Sequence, residues 1–192
     1  MVLSDKAIQR AIEAGEIEIV PVPGETRYTS SAVDLTLGFQ FQTWNADVLS
    51  VQGTKIELDL ARQAYPKTAK AYLQQLTTES DGSFVLPPYS QRPMVLLAQT
   101  QERIHLKRAS GLAARIEGRS SLARIGLAVH LTAPTIHCGF SGAITLELIN
   151  YSFFHLRMVP GSSICQLIVE RVEGETGEIN TAFQGQVNPS GI

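Results

Sequence analysis

Residues 117–127 read EGRSSLARIGL, a short apolar turn that carries two arginines and two adjacent serines. The segment that follows, residues 127–131, has the apolar pattern of a buried strand. In the Gly-Arg-Ser-Ser part, residues 118–121, small residues permit close approach to the backbone, while hydroxyls, N–H groups and a guanidinium can bind oxyanions. The turn therefore suits a phosphate, although the same residue types are also common in solvated turns.

Glycine and proline divide most of the chain into short strand-like runs. This punctuation favours a compact all-β barrel or sandwich over alternating strand–helix units. We predict strands over residues 17–20, 32–41, 84–86, 94–100, 113–116, 127–131, 143–149, 154–158 and 163–169.

Two short helices interrupt the strands. Ser4 is the predicted N-cap of the first helix, Leu3 and Ile8 form a hydrophobic staple, and Gly15 ends it. The second helix is predicted to follow Pro66 and to end near the polar residues 77–82, as a surface insertion or a lid.

Length and charge restrict the class of protein. A chain of 192 residues that is 44% hydrophobic predicts a single domain over residues 1–192. Sixteen Lys and Arg against eighteen Asp and Glu give a net charge of -2, which argues against nucleic-acid and membrane partners. The chain lacks a signal-peptide pattern and a long apolar span, so we expect a cytoplasmic protein. Cys138 and Cys165 are expected to be buried free thiols.

Glu147 is the sole ionisable residue in the apolar run 144–149. A carboxylate among apolar residues costs several kcal/mol unless it is paired or neutralised, and such a group is suited to general acid–base catalysis. Strand alternation could equally direct Glu147 to solvent, so both interpretations stay open.

Three segments together resemble one known family. GRSSLARIGL at 118–127, HLTAPTI at 130–136 and GFSGAITLELIN at 139–150 are similar to motifs of the dCTP deaminase branch of the dUTPase-like superfamily. The similarity extends from LSDKAIQRAIEAGEIEI at 3–19 to FQGQ at 183–186. It implies a mainly β fold, a distorted barrel or jelly-roll with few short helices, assembled as a homotrimer with active sites between subunits. It also implies zinc-independent hydrolytic deamination of dCTP to dUTP and ammonia.

The resemblance also assigns residues. Glu147 matches the catalytic glutamate, which takes a proton from the water that attacks C4, while Ser120 and Arg124 match residues that position this water. The residues implied to bind substrate are Arg119, Ser121, Thr132, Ala133, His137, Phe140, Gln166, Phe183 and Gln186. Magnesium is expected to enter with the triphosphate and to have no direct protein ligand.

Two further residues, Asp34 and Gln166, each have two open interpretations, and Trp44 has a structural one. Asp34 resembles a superfamily aspartate that supports the trimer core or helps to hold magnesium. Gln166 makes either a core hydrogen bond or a nucleotide contact, and Trp44 is interpreted as packing.

The sequence itself argues against zinc. Zinc deaminases need His-x-Glu followed by Pro-Cys-x-x-Cys, and this chain has neither motif. His130 lies in a mostly apolar segment and is interpreted as structural. His137 and Cys138 are adjacent and would point to opposite faces of a strand, which argues against a nucleophile pair.

Three departures from the family pattern keep alternatives open. His137 replaces an aspartate, residues 182–186 lack the usual lysine and tyrosine, and no Lys or Arg follows Arg171. An acidic tail is poorly suited to bind a triphosphate. Two alternatives to deamination therefore stand: a dUTP or dNTP diphosphatase, alone or bifunctional with deamination, and a non-catalytic nucleotide-binding regulatory trimer.

Overall fold

The computed structural model describes residues 1–46, 57–59, 61, 65–177 and 183–191. Within these ranges the helices are α1 (Asp5–Glu13), α2 (Tyr65–Tyr72) and α3 (Ser120–Arg124), with 3-10 turns at Glu25–Arg27 and Arg108–Ser110. The strands are β1 (Ile17–Val20), β2 (Tyr28–Thr29), β3 (Ala32–Thr36), β4 (Gln42–Trp44), β5 (Leu73–Gln75), β6 (Phe84–Leu86), β7 (Leu96–Leu106), β8 (Leu112–Gly118), β9 (Leu127–Ala128), β10 (Thr135–Ile136), β11 (Ser141–Asn150), β12 (Leu156–Met158) and β13 (Ser163–Arg171).

The strands form two main antiparallel sheets. One sheet has the order β5-β4-β7-β11-β9, with β1 also paired to β7, and the other has the order β10-β8-β13-β3-β2. A separate pair joins β12 to β6. The prediction of a mainly β fold with few short helices is confirmed. The expected closed barrel is not found in the described part of the chain: a single isolated bridge, between Leu37 and Thr100, joins the two sheets there, and no ladder of paired strands continues from one sheet into the other.

Strand β7 organises the first sheet. It pairs along its length with β11, while β1 and β4 share its other edge at opposite ends. Leu96, Ala98, Ile104 and Leu106 on one face of β7 are fully or almost fully buried. They pack into the same core as the apolar residues of the second sheet, so the core lies between the sheets.

The first predicted helix is confirmed at both ends. The hydroxyl of Ser4 accepts a hydrogen bond from the N–H of Ala7 at 3.3 Å. At the other end, Gly15 has a φ of 65°, its N–H donates to the carbonyl of Ile12, and the N–H of Glu16 donates to that of Ala11. These two bonds form a Schellman motif, which satisfies carbonyls that the last turn leaves free.

Several predicted elements have different bounds. Helix α2 ends at Tyr72, because residues 73–75 leave the helix and pair with β4 as strand β5. Strand β3 ends at Thr36, although Leu37 and Phe41 beyond it are fully buried. Among the described helices, none is long and apolar enough to cross a membrane.

Gly126 provides a stability test of the chain turn between α3 and β9. Its φ is 91°, and a Cβ added there would lie 2.8 Å from the backbone nitrogen of Ser152. Gly174 also has a positive φ, of 83°, but an added Cβ would meet no atom within 4 Å. We expect Gly126→Ala to lower the free energy of unfolding by about 2–4 kcal/mol, and Gly174→Ala by only about 1 kcal/mol.

Urea unfolding at equal protein concentration measures both variants. Equal losses for Gly126→Ala and Gly174→Ala would show that backbone conformation alone, and not contact with Ser152, requires glycine at position 126.

Candidate active site

The alternation of side chains along β11 determines where Glu147 points. Leu146 and Leu148 are fully buried in the core, so Thr145 and Glu147 lie on the opposite face of the strand. Glu147 is half-buried, and its Oε2 accepts a hydrogen bond from the N–H of Leu131 at 3.4 Å. The face opposite the core lines a cavity that is open to solvent.

This cavity has a volume of about 660 Å³. Its walls come from β7, β8, β11, the segment 130–140 and the C-terminal segment 183–191. It brings together six of the site residues predicted from the sequence, namely Ala133, His137, Phe140, Glu147, Phe183 and Gln186.

The cavity lining is largely apolar and aromatic. Its ionisable residues include the carboxylate of Glu147 and the imidazoles of His130 and His137, and no described lining residue is a lysine or an arginine. Such a surface suits a flat, uncharged heteroaromatic ring, which stacks on aromatic side chains. It does not supply the cations that a triphosphate needs.

Two buried polar atoms of lining residues have no hydrogen-bond partner among the described residues: Nδ1 of His130 and Oγ1 of Thr145. An unsatisfied buried polar atom costs about 1–3 kcal/mol, so both atoms suit a ligand with polar groups. His130 was interpreted as structural, and its Nε2 lies 3.9 Å from Oε2 of Glu117. Thr145 was missed, although its spacing of two residues from Glu147 places both on one strand face.

The C-terminal segment 183–191 docks onto β11 at the edge of the cavity. Nε2 of Gln186 donates to the carbonyl of Ala143 at 2.5 Å, and the N–H of Ala143 donates to the carbonyl of Gln186 at 3.2 Å. A Cβ on Gly142 would lie 3.1 Å from Gln186, so glycine permits this close approach. The predicted contribution of Phe183 and Gln186 to the site thus has a structural basis within one chain.

The residues of the Gly-Arg-Ser-Ser segment lie away from this cavity. Nε of Arg119 is 3.2 Å from Oδ2 of Asp34, and Nε2 of Gln166 donates to Oδ1 of the same carboxylate at 2.9 Å. Asp34 is almost fully buried and thereby ties the end of β8 to β3 and β13. Gln166 was predicted to make either a core hydrogen bond or a nucleotide contact, and in this structure it makes the hydrogen bond to Asp34.

The other predicted residues are exposed and do not line the cavity of their own chain. Ser120, Ser121 and Arg124 lie on the short helix α3, where the sequence predicted a turn, and Thr132 lies in a loop. Their roles in binding and catalysis stay predictions.

The two cysteines are free and buried, as predicted. Burial, together with the charges of Glu102 and Asp34, raises the pKa of the Cys165 thiol far above its usual range, so Cys165 is no nucleophile. Cys138 donates its S–H to the carbonyl of Arg108 at 3.3 Å. Across the described ranges, no three His, Cys, Asp or Glu side chains are grouped so that they could hold a metal ion.

Tyr65 and Trp44 are cavity residues that the sequence did not reveal as such. Their rings meet edge to face with centroids 6.3 Å apart, so Trp44 does pack as predicted, but both residues also line the cavity. Tyr65 lies far from Glu147 in sequence and outside every recognised motif, which left no local signal for its role.

Comparisons with known proteins give a consistent result. Residues 2–172 match the sequence model of a family described as dCTP deaminase-like. A Rhodospirillum rubrum protein named dCTP deaminase is 37% identical over 180 residues, or 93% of this chain and 86% of that protein. A Methanosphaera stadtmanae protein named "dCTP deaminase, dUMP-forming" is 32% identical over 195 residues, or 98% of this chain and 91% of that protein.

A solved structure shares the fold. The 2'-deoxycytidine 5'-triphosphate deaminase from Agrobacterium tumefaciens matches with a TM-score of 0.63 at 17% sequence identity. The match covers 88% of this chain and 47% of that one, so this chain spans about half the length of the solved protein. At this identity the likeness concerns the fold alone.

The pair of Arg119 and Asp34 can be tested by a double-mutant cycle. The side chain of Asp34 is 10% exposed and that of Arg119 is 35% exposed. Removing Arg119 leaves a largely buried carboxylate without its counterion, so Arg119→Ala and Asp34→Asn should each destabilise the protein and be coupled. We expect a coupling free energy of about 1–3 kcal/mol from unfolding measurements on the two single variants and the double variant.

The exposed pair of Arg157 and Asp81, 3.6 Å apart, is the matched control. Solvent screens this pair, so its coupling should be much weaker. Equal coupling in the two cycles would contradict the structural role given to Arg119.

Proposed function

Since the chain belongs to the dCTP deaminase-like family, we propose that it hydrolyses the cytosine amino group of dCTP to give dUTP and ammonia, without zinc. The family resemblance drawn from the sequence motifs is thereby confirmed. The observation that carries the proposal is the position of Glu147, a half-buried carboxylate in an apolar and aromatic cavity that accepts a ring. Relatives named dCTP deaminase across nearly the whole chain support a deaminase.

In the proposed reaction Glu147 moves protons. Its carboxylate takes a proton from water, the hydroxyl oxygen bonds to C4 of the cytosine, and the proton passes to N3. Glu147 then takes the remaining proton from the C4 hydroxyl and gives it to the exocyclic amine, the C4–N bond breaks, ammonia leaves, and C4 keeps the oxygen as the uracil carbonyl. Ala133, which lines the cavity, would leave space for the pyrimidine.

We propose that the site is completed by a neighbouring copy in a homotrimer. Ser120, Arg124 and Ser121 are exposed on α3, and the adjoining surface is apolar. This apolar patch consists of Ile125, Tyr89, Tyr151, Phe153 and Phe154, of which Phe153 is 90% exposed. The N–H of Tyr151 donates to the carbonyl of Gly126, just after α3, and the ring centroids of Tyr89 and Tyr151 are 5.9 Å apart. Exposed apolar patches of this kind mark interfaces, and a second copy would bring Ser120 and Arg124 to the water beside Glu147.

Phosphate binding is proposed to involve Arg119 and Ser121 with magnesium. Mg²⁺ prefers oxygen ligands and commonly binds through substrate phosphates, so it would enter with the triphosphate and reduce the repulsion from the acidic tail. The free thiols of Cys138 and Cys165 agree with a reducing compartment, and we propose that the protein acts in the cytoplasm.

A second candidate function adds hydrolysis, so that dCTP is converted to dUMP. The relatives named dUMP-forming favour it. His137 disfavours it, because an imidazole stands where the family pattern has an aspartate, and His137 lines the cavity.

Product analysis with Glu147→Gln tests the proposed reaction. The amide keeps the shape of the side chain but cannot accept the proton, so ammonia release from dCTP should fall by about 10²–10⁴-fold. Purified protein is incubated with dCTP and Mg²⁺ and the nucleotides are separated by chromatography, with the exposed Glu173→Gln as a control at wild-type rate. Unchanged dCTP with the wild-type protein would favour the regulatory trimer, and wild-type turnover by Glu147→Gln would reject the assigned base.

His137→Asp separates the two enzymatic candidates. We expect wild-type protein to release ammonia from dCTP but very little pyrophosphate from dUTP, because His137 replaces the carboxylate base. The aspartate variant should gain pyrophosphate release while deamination persists. Rapid pyrophosphate release by the wild-type protein would instead place the dUMP-forming reaction first.

A further inference from the structure

Tyr65 lies where three parts of the chain meet. It is the first residue of α2, and its ring contacts Trp44 of β4 and Phe183 of the C-terminal segment, with centroids 6.3 and 5.8 Å apart. All three rings line the cavity that contains Glu147. Helix α2 therefore contributes directly to the candidate active site through one aromatic side chain.

The hydroxyl of Tyr65 holds the far end of the C-terminal segment. It donates to the backbone carbonyl of Ser190 at 2.9 Å. Ser190 is 8% exposed and lies in a tight turn, in which its N–H donates to Oδ1 of Asn188 at 3.0 Å. The N–H of Gly191 donates to the carbonyl of Asn188, also at 3.0 Å, so Tyr65 binds a preorganised turn.

Near its start, at residues 184–186, the segment is hydrogen-bonded to residues 139–143, and its far end is hydrogen-bonded to Tyr65. Gln186 fixes it to β11 through Ala143, and Tyr65 fixes it through Ser190. A Cβ on Gly191 would lie 2.9 Å from Oε1 of Gln186 and 3.0 Å from Phe183, which leaves no room for a larger residue. Loss of the Tyr65 hydroxyl would thus release one end of a cavity wall while its other end stays bonded.

The hydroxyl of Tyr65 must be protonated to donate this hydrogen bond to Ser190. Burial, and to a smaller extent the charge of Glu147, raises the pKa of Tyr65 above its ordinary value of 10.0, so the hydroxyl keeps its proton at neutral pH. A phenol has a single proton, and here it is donated to Ser190. The hydroxyl therefore does not donate to the carboxylate of Glu147, which stays available to accept a proton from water.

We propose that Tyr65 is a positioning residue for the reaction at Glu147: its hydroxyl holds residues 183–191 in place as a wall of the substrate cavity. The expected effect on the kinetics rests on the proposed function, whereas the attachment of residues 183–191 by the hydroxyl does not. Tyr65 acts through Phe183 and Gln186 on substrate binding and takes no part in proton transfer.

Hydrogen exchange of the full-length protein without nucleotide tests the structural claim. Tyr65→Phe keeps the ring between Trp44 and Phe183 but removes the bond to Ser190. We expect peptides that cover residues 183–191 to exchange roughly 3–10-fold faster than in the wild-type protein, since one neutral hydrogen bond is lost. Tyr72→Phe on the same helix is the control and should leave this exchange unchanged, because Tyr72 does not line the cavity.

Kinetics test the consequence for the reaction. Tyr65→Phe should raise KM for dCTP roughly 3–10-fold and change kcat by less than about 2-fold. Trp44 is the single tryptophan and lines the cavity, so its fluorescence reports dCTP binding in the Glu147→Gln background without turnover. The dissociation constant measured there should rise in parallel with KM.

Two results would overturn the proposal. Exchange of residues 183–191 that is the same in Tyr65→Phe, Tyr72→Phe and wild-type protein would show that the hydroxyl does not hold the segment. A large fall in kcat with an unchanged KM would make Tyr65 a catalytic group. If the wild-type protein neither binds nor converts dCTP, the proposed function fails, whereas the exchange comparison still decides the structural role.

Discussion

The period-two alternation of β11 is the constraint on which the candidate site depends. Its pairing with β7 sets Leu146 opposite Ala98 and Leu148 opposite Leu96, and all four side chains are in the core. Glu147 must then face the cavity. A slip of one residue would place the carboxylate in the core and two leucines in the cavity, at a cost of several kcal/mol, so apolar packing specifies the position of the Glu147 carboxylate.

The same architecture separates Glu147 from Arg119 and Arg124. The cavity presents Glu147 among apolar and aromatic groups, which favours a heteroaromatic ring over a charged group. Arg119 lies outside this cavity, held by the buried carboxylate of Asp34, and Arg124 lies exposed on α3. A ligand that carries both a ring and phosphates therefore needs groups that a single chain keeps apart, which gives a physical reason for an assembly of several copies.

Sequence patterns predicted correctly those features that depend on residues close together in the chain. The Ser4 cap, the Gly15 stop and the strand containing Glu147 depend on neighbours in sequence, and the structure has all three. Helix α2 was predicted too long, because residues 73–75 pair with β4, a strand about 30 residues earlier in the chain, and do not continue the helix. The role of Tyr65 depends on Ser190, 125 residues away, and no local pattern reports a contact at that separation.

Subunit mixing tests most directly whether the active site is shared between subunits. Glu147→Gln and Arg124→Ala homomers are prepared separately, each with little activity, and then dissociated and reassembled together at equal amounts. If Glu147 of one copy works with Arg124 of its neighbour, random assembly restores about one quarter of wild-type deamination per site, because half of each position is intact. Mixtures that form mixed oligomers but stay as inactive as the separate variants would contradict the account, since both residues would then act within one chain.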